Sequence, residues 1–167
     1  LLRSVQKSTG EDELIITTRK GQSIHFKEKD VRSMGRPAAG IHAMRLKKGD
    51  EVVGMDVVEK SKLQTPNSKL LVVMENGYGK HTLLKQYKRQ RRGGSGIKTA
   101  KVTPKTGAVI GAHIIIGEEE TELITISRKG QVIRTTLATI PTLSRATQGV
   151  RIMKVEAGEA VASITTL

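Results

Sequence analysis

The 167-residue chain has no cysteine, only three aromatic residues and no long hydrophobic run. Without cysteine, a disulfide scaffold, a thiol nucleophile and a zinc site with cysteine ligands are all excluded. No apolar stretch approaches the roughly 18 residues of a transmembrane helix, and no signal-peptide hydrophobic region opens the chain. Phe26, Tyr78 and Tyr87 are too few rings to stack the bases of a single-stranded nucleic acid. We therefore expect a cytoplasmic protein with no membrane partner.

Acidic residues are also scarce: 16 Asp and Glu stand against 29 Lys and Arg, a formal net charge of +13. Residues 76–117 hold nine of these bases and no acid. An acidic cluster follows directly, at Glu118, Glu119, Glu120 and Glu122. The chain has too much Ile, Val and Leu for a disordered tail, so its charge favours a folded protein that binds a polyanion. A merely solvated basic face is the alternative that charge alone leaves open.

Three copies of one sequence unit fill the chain. They begin ELIITTRKGQSIHF at Glu13, KLLVVMENGYGKHT at Lys69 and ELITISRKGQVIRT at Glu122. Each apolar run ends at a turn glycine, and a second glycine follows 19 residues later. An arginine stands four residues before the second glycine, and another base stands five residues after it. In chain order these four positions are Gly21, Gly77 and Gly130; Gly40, Gly96 and Gly149; Arg36, Arg92 and Arg145; and Arg45, Lys101 and Lys154.

The repeat predicts one all-β domain made of four-stranded blades. The apolar run and its turn glycine predict a hairpin in each unit, and a long polar loop separates it from two further strands. We expect third strands at 41–46, 97–102 and 150–155, and fourth strands at 51–58, 108–116 and 159–167. Four short strands per unit are typical of a propeller-like array. The expected parts are a leading strand of a preceding blade at 1–6, blades at 12–58, 69–116 and 122–167, and a linker at 59–68. Since three blades do not close a ring, we interpret the chain as a piece of a longer array.

The sharpest motif lies in the second unit and reads Gln90-Arg91-Arg92-Gly93-Gly94-Ser95-Gly96. Lys88 and Arg89 precede it, and Lys98 and Lys101 follow it. Adjacent guanidinium groups suit phosphate oxygens because they offer planar, bidentate donors. Closely spaced glycines let a backbone approach a phosphate and point N–H groups at it. The motif therefore fits a grip on a sugar-phosphate backbone, and a flexible glycine loop with incidental charge is the alternative.

QRRGGSG resembles the gyrase A box, the heptapeptide of the C-terminal domain family of DNA gyrase A subunits. The family's usual form has Lys or Arg where this chain has Ser95. ENGYGKHT before the box and IKTAKVT after it are similar to the family as well, as are DVRSMGRPAAGI and SRATQGVRIMKV in the other units. The resemblance implies a β-pinwheel of propeller-like blades that binds and bends duplex DNA around a basic rim. The DNA-binding residues we expect are Arg36, Arg45, Lys88, Arg89, Gln90, Arg91, Arg92, Gly93, Gly94, Ser95, Gly96, Lys98, Lys101, Arg145, Arg151 and Lys154.

The same resemblance implies that the parent protein is a bacterial, ATP-dependent type IIA topoisomerase whose catalytic parts lie outside this chain. ATP and Mg²⁺ would serve only the holoenzyme, and no cofactor or metal is expected here. The implied partners are double-stranded DNA, the gyrase B subunit, and the rest of the gyrase A subunit. Two alternatives stay open: the corresponding domain of the topoisomerase IV A subunit, which generally lacks an intact box, and a propeller used for protein recognition.

No enzyme motif stands in a suitable context. Four scattered histidines without a carboxylate at ligand spacing do not indicate a metal site. His25 and His81 share one repeat offset, where the third unit has Arg134, so they are either surface bases near DNA or structural strand residues. We interpret Tyr78 as a packing residue of its strand and Tyr87 as a loop anchor.

Overall fold

The computed structural model describes residues 2–61, 65, 67–117 and 122–167, and these residues contain eleven β-strands. Leu1, part of the expected linker and the acidic residues from Glu118 to Glu120 lie outside the described residues. The first unit contributes β1 (Glu13–Thr18), β2 (Gln22–Lys27) and β3 (Val52–Val58). The second contributes β4 (Lys69–Met74), β5 (Tyr78–Leu83), β6 (Ile97–Lys98) and β7 (Val109–Ile115). The third contributes β8 (Glu122–Ser127), β9 (Val132–Thr136), β10 (Val150–Arg151) and β11 (Val161–Thr166).

The strands form three antiparallel sheets, which confirms the all-β, blade-like architecture. Their orders are β3-β1-β2-β6, β7-β4-β5-β10 and β11-β8-β9. The sheets do not coincide with the sequence units, however, because β6 pairs with β2 and β10 pairs with β5. The short third strand of a unit thus completes the sheet of the unit before it. The expectation that each unit builds its own four-stranded sheet is corrected here: the hairpin of one unit offers a free strand edge, and the next unit fills it.

The third strands are also shorter than we expected. Only two residues of 97–102 and two of 150–155 form strand, and 41–46 forms none. Beyond these residues the backbone turns to other partners: Lys101 N donates to Thr147 O at 3.0 Å, and Arg45 N donates to Gly94 O at 2.8 Å. The 41–46 segment meets no preceding hairpin among the described residues, so no strand edge is offered to it.

The expected leading strand is not a strand in its described part, residues 2–6. Its side chains nevertheless lie along β3. The Gln6 amide donates to Met55 O at 2.8 Å and accepts from Val57 N at 2.9 Å, so it takes the place of a backbone peptide group. Arg3 pairs with Glu51 at 2.7 Å. Side-chain contacts, rather than a backbone ladder, therefore hold this segment.

The central unit is buried on both faces of its sheet. Leu70, Val72 and Met74 of β4 pack into a core shared with the first unit, and Leu71 and Val73 pack into a core shared with the third. Both sets are at most 1% exposed. This explains the unbroken apolar run of β4, since alternate residues of a strand point to opposite faces. In β8 only alternate residues are buried, so that strand has one buried face.

One edge of each sheet packs against the neighbouring sheets, and the other edge lies opposite. β3 packs on β7, and β7 packs on β11. Small residues allow this close approach: a Cβ on Gly54 of β3 would lie 2.9 Å from Ala112 O. The opposite edges carry β6 and β10. We call these two strands, together with the loops 88–96 and 141–149 before them and the residues after them as far as 101 and 154, the outer rim.

Both glycines of the repeat are packing positions between units. A Cβ on Gly77 would lie 2.0 Å from Met153 O of the next unit, and one on Gly149 would lie 2.5 Å from Gly79 O of the unit before. At Gly130 and Gly40, the same positions in the last and first units, a Cβ would meet no atom of the described residues within 4 Å. All four have positive φ. The fixed spacing of the two glycines therefore reflects how consecutive units interlock.

Candidate nucleic-acid interface

The glycine-rich loop of the second unit is held against the hairpin and loop of the first. Gln90 N donates to His25 O at 2.7 Å, and Gly93 N donates to Ala43 O at 2.8 Å. A Cβ on Gly96 would lie 2.6 Å from Ser23 O. The loop is therefore fixed in place, and Gly93 N–H is already used by a carbonyl. The Gly93 N–H is therefore not available to bind a phosphate, although the glycine spacing predicts such a role.

The arginine four residues before the second glycine is a clamp between units. Arg92 is half-buried and donates from Nη1 to His42 O at 2.7 Å and from Nε to Asp30 O at 3.1 Å. Arg145 repeats the first contact, from Nη1 to Lys98 O at 2.8 Å. His42 and Lys98 occupy the same repeat offset. Arg36, the corresponding residue of the first unit, is exposed instead.

Arg89 is partly neutralised by an internal carboxylate. Its Nη1 lies 2.6 Å from Glu13 Oε1, and the second carboxylate oxygen lies 2.7 Å from His25 Nε2. Glu13 and His25 are both buried. Arg89 therefore has less charge to offer to an external anion than a base without a carboxylate partner has.

The other expected bases are exposed and recur at fixed offsets on the outer rim. Lys98 and Arg151 are two residues beyond the second glycine, and Lys101 and Lys154 are five residues beyond it. None of them pairs with a carboxylate of the described residues. Five further expected positions are exposed: Arg36, Arg45, Lys88, Arg91 and Ser95. Six are half-buried: Gln90, Arg92, Gly93, Gly94, Gly96 and Arg145.

The two histidines at one repeat offset are structural residues, not surface bases. His25 is 7% exposed and His81 is 2% exposed. His25 is held by a hydrogen bond from its Nδ1 to Tyr87 O at 2.9 Å. Burial, with added repulsion from Lys69, lowers the pKa of His81 to about 4. Tyr87 is an anchor as expected, because its buried hydroxyl lies 2.6 Å from Thr99 Oγ1.

Lys80 is a buried ammonium that sequence reasoning missed. Its Nζ donates to Ser144 O and Arg145 O, each at 2.6 Å, and so holds the 141–149 loop from beneath. Burial, and secondarily the Arg145 guanidinium, lower the pKa of Lys80 to about 8. The sequence does contain a signal for this burial, because the first and third units have the apolar residues Ile24 and Ile133 at the offset of Lys80.

Other kinds of site find no support in the described ranges. No group of three or more His, Asp or Glu residues there is arranged to hold a metal ion. No helix in that part of the chain is long and apolar enough to cross a membrane.

Comparison with known proteins decides the family. The model of the DNA gyrase C-terminal domain, a beta-propeller, matches residues 12–59, 69–116 and 121–167. The chain belongs to the DNA gyrase C-terminal domain family. Its resemblance to that family, inferred from the box and its surroundings, is thereby confirmed. The three matched segments correspond to the three sequence units.

Curated relatives in the family are far longer than this chain. It is 38% identical over 163 residues to the DNA gyrase A subunit of Staphylococcus epidermidis, and 37% identical to that of Staphylococcus aureus. Each match covers 98% of this chain and 18% of the relative. The chain therefore spans less than a fifth of the length of these relatives.

Solved structures give the same fold. A DNA gyrase A C-terminal domain superposes with a TM-score of 0.80 at 26% identity, over 93% of this chain and 50% of that one. A C-terminal domain of DNA topoisomerase IV superposes with a TM-score of 0.82 at 20% identity, over 95% of this chain and 47% of that one. The second likeness concerns the fold alone.

Proposed function

We propose that this chain binds double-stranded DNA without sequence preference and bends it along the outer rim. The proposal is supported mainly by one observation: the short third strand of a unit pairs with the sheet of the unit before it. Because β6 and β10 are the outermost strands of neighbouring sheets, the bases on and beside them recur along one edge of the array. Lys98 and Lys101 form one such pair, and Arg151 and Lys154 form the next.

The chemistry of this edge suits a phosphate backbone rather than base edges. Exposed Lys and Arg neutralise phosphates and release counterions, which gives binding that depends on charge and not on sequence. The four rim bases are free of carboxylate partners among the described residues, so their charge is available to DNA. The described residues also lack an α-helix that could enter a major groove.

Bending requires grips at successive points along a curve. Smooth bending of a 20–30 bp site by 40–90° costs about 1–6 kcal/mol. A single loop offers too few phosphate contacts to offset that cost, whereas a row of units offers several. The repeat of rim bases from one unit to the next supplies such a row, which supports wrapping rather than simple attachment.

We further infer that the chain acts in the bacterial cytoplasm as part of a gyrase A subunit, together with the gyrase B subunit. ATP hydrolysis with Mg²⁺ and DNA cleavage belong to parts of the enzyme outside this chain. The chain itself supports negative supercoiling because it presents wrapped DNA. The identity to curated gyrase A subunits and the near-intact box favour gyrase over topoisomerase IV. Negative supercoiling by the parent enzyme is the discriminating assay, since gyrase introduces such supercoils and topoisomerase IV does not.

The salt dependence of duplex binding tests the proposal. With six or more phosphates neutralised, the slope of log K against log salt is expected to be about −5 or steeper. Fluorescence anisotropy with two unrelated duplexes of equal length measures the slope and the sequence preference together. A slope near zero between about 50 and 200 mM salt, as a propeller for protein recognition would give, contradicts the proposal.

A further inference from the structure

A basic pocket lies at the junction between the second and third units, outside the box loop. It has a volume of about 280 Å³. Tyr78, the first residue of β5, lies directly opposite Arg151 of β10 in the strand register. Lys105 enters from a turn whose carbonyls, at Pro104 and Lys105, each accept from the Asn76 side-chain amide at 3.0 Å. Three anchored backbone segments thus bring these side chains together.

Two cations lie close to the Tyr78 ring. Lys105 Nζ lies 5.7 Å and Arg151 Cζ lies 5.6 Å from the ring centroid. Arg151 Nη2 also donates to the Tyr78 hydroxyl at 3.2 Å, and this hydrogen bond is the main cause that lowers the pKa of Tyr78. The hydroxyl accepts from Arg151, so its own proton is available to donate into the pocket. Tyr78 itself is only 6% exposed, which leaves no ring face for a stacked base.

The two acids that line the pocket, Glu156 and Glu159, are engaged by other residues. Glu159 accepts hydrogen bonds from Ser127 Oγ and from Lys129 N, and Glu156 lies 3.4 Å from Lys129 Nζ. Neither Lys105 nor Arg151 pairs with a carboxylate of the described residues. Two like charges close to one phenol repel each other, and a bound anion would relieve that repulsion.

We propose that Tyr78, Lys105 and Arg151 form a subsite for one phosphate group of the DNA backbone. The two cations supply charge, and the Tyr78 hydroxyl donates a hydrogen bond to a phosphate oxygen. This inference rests on the proposed function, because duplex DNA is the source of that phosphate. At the corresponding position of the first junction Gln22 lies opposite Lys98, so the aromatic member is particular to the second junction.

The subsite compensates for the weaker box of the third unit. The second unit has both Arg91 and Arg92 in its box, whereas the corresponding segment of the third has Arg145 alone. That arginine is a clamp on Lys98 O. The phosphate grip at the second junction therefore comes from the neighbouring turn and strand edge instead of from the loop.

Two substitutions separate the charge of the subsite from its hydroxyl. In duplex-binding titrations at several salt concentrations, Lys105→Gln is expected to make the salt slope shallower by about 0.9 and to weaken binding about 3- to 10-fold. Tyr78→Phe is expected to weaken binding about 2- to 5-fold with an unchanged slope, because the phenol is neutral. Lys29→Gln is the control for net charge, since Lys29 pairs with Glu11 at 2.7 Å, and it should leave the slope unchanged.

A spectroscopic measurement reports on the hydroxyl directly. The chain has two tyrosines and no tryptophan, so in a Tyr87→Phe background the phenolate absorbance belongs to Tyr78 alone. Addition of a short duplex should raise the pKa of Tyr78, because a nearby phosphate disfavours the phenolate. Inorganic phosphate alone, the second source of the same chemistry, should raise it less at equal phosphate concentration.

The outcomes distinguish the subsite from the proposed function. A parent chain that binds duplex DNA without salt dependence would overturn the proposed function, and the subsite with it. The subsite alone is overturned if the parent binds with a steep slope, Lys105→Gln matches Lys29→Gln in slope, and the pKa of Tyr78 does not move on addition of DNA.

Discussion

At the residue scale, one repeat offset holds arginines with different roles. Arg92 and Arg145 hold neighbouring units together through backbone carbonyls, whereas Arg36 is exposed. The sequence shows three equivalent bases, and from spacing alone we expected three equivalent DNA contacts. What spacing could not show is whether a neighbouring unit lies beside each arginine.

This difference gives a matched stability test. Arg92→Ala removes two hydrogen bonds from a charged donor, and we expect the free energy of unfolding to fall by about 1–3 kcal/mol. Arg36→Ala, at the same offset, should change it by less than about 0.5 kcal/mol. Urea unfolding of both variants measures the difference. Equal effects would show that the clamp contributes nothing.

Lys80 predicts a pH dependence of stability with a definite sign. Its pKa is lowered from 10.5 to about 8 in the folded chain, so between these values the unfolded chain binds more protons. The free energy of unfolding should therefore rise with pH in this window, by at most about 1.4 kcal/mol per pH unit from this group.

The Lys80 effect is measured as a difference. Urea unfolding of the parent and of Lys80→Met is compared at pH values from below 8 to about 10, because the other lysines titrate in both proteins. The rise should be larger in the parent. Parallel curves would show that Lys80 is not buried as a charged group.

At the element scale, the hairpins follow closely from the sequence. In each unit an apolar run that ends at a turn glycine predicts a hairpin, and the structure has the hairpins β1–β2, β4–β5 and β8–β9 at these places. The short third strands were overestimated because their pairing partner lies in another unit. The sequence of a hairpin predicts pairing between its own two strands. The pairing of β6 and β10 depends instead on how one unit is placed beside the next.

The interlocking glycines give a second matched comparison. Gly77→Ala would place a Cβ 2.0 Å from Met153 O, whereas Gly130→Ala meets no atom within 4 Å in the part of the chain that the structure describes. Their φ angles are 76° and 83°, so the backbone strain of alanine is nearly the same in both. We expect Gly77→Ala to lower the free energy of unfolding by about 1–3 kcal/mol more than Gly130→Ala does. Equal losses would mean that only the φ angle matters.

At the scale of the whole molecule, the candidate interface was predictable in part. The box, the base five residues beyond the second glycine and the repeat itself could all be found in the sequence, and they point to the outer rim. The burial of Lys80 and the pocket at Tyr78 could not be predicted from the sequence, because both depend on tertiary contacts. The offset at which Lys80 replaces isoleucine was the available signal.

Bending of DNA is the central claim about the whole molecule, and energy transfer between the labelled ends of a short duplex measures it most directly. The test variant replaces three exposed rim bases by alanine: Arg91, Lys98 and Lys101. The control variant removes the same charge at bases that pair with acids: Lys29, Lys60 and Lys129.

At saturating protein, the parent and the control variant should bring the duplex ends together equally. The rim variant should still bind, with affinity reduced about 10- to 100-fold, because bases on the other units remain. It should nevertheless leave the duplex much straighter, since the cost of bending is no longer offset along the curve. If the rim variant bends DNA as strongly as the parent does, the outer rim is not the wrapping surface and the account is contradicted.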